Sequence, residues 1–150
     1  MDNWIQYGVD YLRTILEIVL KSDHRTESER ENSISVARII LVMDLDFSVE
    51  DQNKAINIFF IKVDNNNLED LGDVLRRLVN TVGGSLRSKE KLILHLFMMA
   101  YLDGDITQSQ VDYVHTVGRL LDFRQSELNS LSDRGIDKIN SLTWFAENYI

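Results

Sequence analysis

No proline interrupts these 150 residues. Proline in a helix interior removes a backbone donor and clashes with the preceding turn, at a cost of about 3 kcal/mol. A chain without it suits long helices joined by connections that draw on Gly, Asn and Ser. The apolar spacing agrees. Ile5, Val9, Leu12, Leu16 and Val19 follow the 4-3-4-3 rhythm of one helix face. Trp4, Tyr11, Ile15 and Ile18 widen that face. Gln6, Asp10, Arg13, Glu17 and Lys21 line the other side, with Glu17 and Lys21 at i,i+4 spacing for an ion pair. These positions predict a helix over about residues 3–21.

Further helices follow. The charged stretch Ser22–Asn32 reads as a turn and the exposed start of a second helix, which runs to about Met43. Ser48 is placed to cap a third helix, with Asp51 at its third position. Asp64-Asn65-Asn66-Asn67 is a turn signal, and Leu68, Leu71, Val74, Leu75, Leu78 and Val82 line the next helix, which Gly83-Gly84 ends. The near-continuous apolar run Leu92–Leu102 implies a helix buried on most sides, with His95 as a core or boundary residue. Thr107-x-x-Gln110 matches a capping box before Val111, Val114, Val117 and Leu121. Asp122–Leu131 reads as a turn and short helix, Ser132–Gly135 as a break, and about 137–149 as a last helix with Ile139, Leu142, Phe145 and Ala146 inward. The expected fold is all-α: a single domain over 1–150, a compact bundle of seven or eight helices with no strand pair.

Composition narrows the function. The net charge of −8, with no Lys/Arg cluster, argues against a nucleic-acid binder. The lack of cysteine excludes disulfides, thiol catalysis and Cys-based zinc sites. Leu92–Leu102 is too short to span a bilayer, which takes roughly 20 residues. The start lacks a basic region and carries Asp2, Asp10, Arg13 and Glu17, unlike a signal peptide, so a cytoplasmic location is expected. The first helix's polar face balances two acids against two bases, unlike a membrane-surface helix. Membrane association would then be peripheral, through a partner.

Asp44-Leu45-Asp46-Phe47-Ser48 and Asp103-Gly104-Asp105-Ile106-Thr107 share the pattern Asp-x-Asp-apolar-Ser/Thr, 59 residues apart (Asp44 to Asp103). Each comes after an apolar run and precedes a helix, which predicts an internal repeat of helix pairs. Carboxylates so spaced are the candidates for Ca²⁺ or Mg²⁺: Asp44, Asp46, Asp103 and Asp105. The competing role is structural, because Asp beside a helix start satisfies free N–H groups and the dipole. An EF-hand fails on register. With Gly104 at the sixth position, Met99 and Tyr101 take the first and third, and Gln110 stands where the bidentate Glu belongs. The expectation is no metal and no cofactor. His24, His95 and His115 form no His-x-x-x-His pair, Gly-x-Ser-x-Gly is absent, and Gly83-Gly84-Ser85 lacks the ending of a P-loop. No enzymatic activity is expected.

The run Leu96–Thr107, an apolar helix ending in Ala-x-x-Asp-Gly-acidic-Ile-Thr, resembles the signature of the TerB-like family, named for tellurite-resistance proteins. Val117-Gly118-Arg119-Leu120-Leu121 and Ser126-Glu127-Leu128 resemble the next segment of that family. The resemblance covers about 33–132. It leaves the first helix (3–21) and the last (137–149) as additions. Ser109 and Gln110 stand where the family usually carries a glutamate, and Leu45 replaces the glycine in the earlier copy. The resemblance implies a helical bundle with an internal repeat, acting as a binding module in a stress-response or membrane-associated complex. The expected partner is a protein. Its contacts are expected on the acidic turns (Asp44, Asp46, Glu50, Asp103, Asp105) and on the first helix (Trp4, Tyr11, Ile15). Two alternatives are a divalent-metal sensor using the Asp turns and a structural subunit of a homo-oligomer joined through its end helices.

Overall fold

The computed structural model describes residues 2–20, 27–81, 85–102 and 106–149. Gly83, Gly84, Asp103 and Asp105 lie outside them, as do the side chains of Leu142, Trp144, Phe145 and Ala146. The chain is all-α. Among the described residues seven α-helices run in order: α1 (Asn3–Leu20), α2 (Glu27–Ile39), α3 (Val49–Asp64), α4 (Leu71–Thr81), α5 (Leu86–Tyr101), α6 (Gln108–Leu120) and α7 (Gln125–Tyr149). A π-helical turn, Ile40–Asp44, continues α2, and no strand occurs among the described residues. None of these helices is long and apolar enough to cross a membrane. The chain divides into two compact units, 1–85 and 86–150.

In the first unit α1 is the central element and packs against α2, α3 and α4. Its apolar face is buried as the periodicity predicts, from Ile5 through Leu12 and Ile15 to Val19. Its polar side is covered as well. Asp10, Thr14 and Glu17 are all buried. The reason is a set of charges supplied by distant segments. Arg77 of α4 grips Asp10 with two hydrogen bonds, Nε to Oδ2 and Nη2 to Oδ1, both 2.7 Å. The same guanidinium donates to both carboxylate oxygens of Glu69, in the loop before α4. Arg13 donates to Glu17 and, at 3.3 Å, to the Glu69 carbonyl. Gln6 donates to Asp10 at 2.7 Å. Glu17 pairs with Arg13 one turn earlier on the helix; Lys21, its expected i,i+4 partner, lies outside the described residues.

In the second unit α5 packs against α6 and α7. Every residue from Leu92 to Ala100 is buried, His95 fully so. The break expected at Ser132–Gly135 does not occur, because α7 runs through it. Gly135 is there for proximity. A Cβ on it would lie 2.8 Å from Phe97 Cβ and 3.4 Å from the Met98 amide nitrogen. The glycine lets α7 press onto the α5 backbone, and the Tyr101–Ser132 hydroxyl contact at 3.0 Å extends that seam.

Candidate functional site

Each copy of the repeated motif ends in a capped helix start. Ser48 is the N-cap of α3, its hydroxyl accepting from the Asp51 amide. Thr107 caps α6 by a full capping box, accepting from the Gln110 amide while Gln110 Oε1 accepts from the Thr107 amide. The two caps share extended backbone, with ψ of 158° and 159°. The segments before them are comparable only in part, since residues 103–105 lie outside the described ones.

The first copy can be traced in full. The apolar run Ile39–Met43 leaves α2 by a π turn, with Leu45 N–H donating to the Ile40 carbonyl at 3.2 Å. Phe47 N–H then reaches back to the Leu41 carbonyl at 2.9 Å. Asp46, between them, takes a left-handed φ of 59°, a conformation that Asp tolerates better than most side chains. This winding swings Phe47 inward until it is 2% exposed. Its ring lies against α1 where Gly8 has no side chain; a Cβ there would be 2.7 Å from Phe47 Cε2. Trp4 covers a face of the same ring, stacked on Phe47 at 4.3 Å and 19°. Tyr7 flanks both rings.

This corner gathers several of the predicted contact residues. Trp4 is part of the stack and 38% exposed. Asp46 and Glu50 lie on either side of the Ser48 cap, Glu50 exposed and paired to Lys54 at 3.2 Å, Asp46 in the turn itself. Asp44 interacts electrostatically with Tyr11, whose hydroxyl pKa is pushed well above the ordinary 10.0, first by burial and then by Tyr7 and Asp44. Tyr11 and Ile15 do not belong to the surface. They are 2% and 0% exposed, so their expected role as partner contacts is corrected: α1 turns them into the core formed with its neighbouring helices. Asp103 and Asp105 lie outside the described residues.

Sequence reasoning missed Met43 and Val49, which flank the turn at 72% and 65% exposed. Helical spacing offered a faint signal for Met43 alone, since residues two apart in a helix face nearly opposite sides and Leu41 is buried. Chemically the corner offers carboxylates and apolar surface. The Ser48 hydroxyl is engaged in its cap. Among the described residues, no group of three or more His, Asp or Glu side chains is arranged to hold a metal ion. In the second unit an open cleft of about 280 Å³ is lined by Glu90, Ser126, Glu127, Ser130, Leu131 and Arg134. Glu127 there accepts from the Arg124 amide and so caps the start of α7. No family model matches the chain, and neither a curated protein nor a solved structure matches it.

Proposed function

We propose that the chain is a TerB-like, non-enzymatic protein-interaction module, serving in a stress-response or membrane-associated complex, with the corner around Phe47 as its contact surface. One observation carries this reading. Trp4, Met43 and Val49 keep large apolar surface in water beside an aromatic stack, while the carboxylates of Asp46 and Glu50 stand in the same turn. Clustered apolar side chains left in water mark interaction sites, and aromatic anchors ringed by polar groups are how such surfaces are built. The motif resemblance supports the same class.

The test is affinity capture from cells, comparing wild type with a Met43→Ser/Val49→Ser variant. Both side chains are exposed, so folding should be kept, and circular dichroism checks that it is. The expected outcome is loss of specific partners from the variant alone. Capture of an unchanged set by both proteins would sink the assignment of this corner. Calorimetric titration with Ca²⁺ and Mg²⁺ separates the module from a metal sensor: micromolar binding abolished by Asp46→Asn would favour the sensor.

A further inference from the structure

The chemistry of the corner also specifies its occupant, an inference that rests on the corner being a contact surface. Eight large apolar side chains are exposed among the described residues, and four of them (Trp4, Ile39, Met43, Val49) belong to the start of α1 and the stretch 39–49. The sequence from Ile39 to Asn53 holds no Lys or Arg, while Asp44, Asp46, Glu50 and Asp51 fall inside it. Asp2 adds an exposed carboxylate at the start of α1, its Oδ1 accepting from the Trp4 amide at 2.7 Å. Cations appear at the edges of the stretch and are engaged. Lys54 pairs with Glu50, and Arg38 donates to Asn53 at 3.0 Å. The apolar surface is therefore bordered by carboxylates that outnumber local cations.

We propose that this corner receives a basic amphipathic segment of a protein partner, whose apolar residues lie on Trp4, Met43 and Val49 and whose Lys or Arg residues face Asp46 and Glu50. Apolar contact supplies the affinity and charge complementarity supplies orientation and speed of encounter. Nucleic acid and anionic lipid surfaces are repelled by the same carboxylates. The stack below fits the role: Trp4 on Phe47 on the bare backbone of Gly8 forms a floor whose order precedes binding, which lowers the entropic cost of docking.

The test uses the full chain and a labelled Leu/Lys amphipathic helical peptide, with a Leu/Glu peptide of the same pattern as control. Fluorescence anisotropy gives affinity, and amide chemical shifts give location. The Leu/Lys peptide is expected to bind with shifts centred on Trp4 and residues 43–50, and the Leu/Glu peptide not to bind. Asp46→Asn/Glu50→Gln should weaken binding by about tenfold, as two lost charge contacts can. Asp112→Asn/Asp133→Asn, an equal charge change on α6 and α7, should not. Equal weakening by both pairs would mean that net charge alone attracts the peptide, and the proposal fails. It fails equally if both peptides bind alike. Cellular capture that still depends on Met43 and Val49 would then leave the interaction module standing, with a partner of different chemistry.

Discussion

Asp10 is a carboxylate with almost no solvent, and its stability depends on residues that no helical spacing reveals. Arg77 and Gln6 both donate to it, and Arg77 stands 67 positions away. Sequence periodicity placed Asp10 correctly on α1's polar side but could not show that α4 and its preceding loop cover that side. Removing one partner of a buried pair leaves a charge uncompensated. Arg77→Met should therefore cost about 3 kcal/mol, the low end of the usual range because Arg77 is itself partly solvated, measurable by urea unfolding. Glu69 adds a pH dependence. Its carboxyl is held below the ordinary 4.5, first by the hydrogen bond from Arg77. A lowered folded pKa contributes stability above the unfolded value and loses it as pH falls through the folded one. Glu69→Gln should thus melt lower than wild type at pH 7, with the gap closing once the pH is well under 4.5; a gap that persists in acid would refute the linkage. The caps are the residues best read in advance, because a cap is local. Ser48→Ala and Thr107→Ala should each cost about 0.5–2 kcal/mol by the same urea measurement.

At the scale of elements, local signals located the helices and long-range packing altered them. α1 occupies 3–20 where apolar spacing predicts about 3–21, and the Asp64–Asn67 turn lies at the end of α3. The π turn was not legible. A run of apolar residues does not announce how many residues its last turn holds; here the insertion of Phe47 beside Gly8 goes with the wider turn. Gly135 misled for the same reason. Glycine is a helix breaker by propensity, yet here it lets two helices touch. Gly135→Ala isolates the two effects. Helix propensity alone should stabilise by about 1 kcal/mol, whereas overpacking against Phe97 should destabilise by about 1–3 kcal/mol. Net destabilisation is the expected outcome, since Phe97 offers its Cβ and Met98 its backbone amide, neither of which can swing aside. A more stable variant would show that the contact has slack.

For the whole molecule, α1 is the decisive element, because the motif resemblance, limited to about 33–132, implies that it is an appendage, while the structure sets it at the centre of residues 1–85. A helix that buries Leu12, Ile15 and Leu16 almost completely cannot be removed and leave its neighbours covered. Deleting 1–20 should expose the faces of α2, α3 and α4 and abolish folding of that unit, contrary to the appendage reading. A gentler change tests how cooperation is distributed. Leu12→Ala removes a fully buried side chain and should cost about 2–5 kcal/mol. The chain clusters into two units, each with its own buried residues, while the sequence suggests one cooperative domain. Native-state hydrogen exchange distinguishes these descriptions, because amides report the free energy of the opening that exposes them. In Leu12→Ala, amides of α1 and α3 should lose protection by the full destabilisation, while those of Leu92–Ala100 should keep theirs. If both sets lose equally, the chain opens as one domain and the division is one of geometry alone.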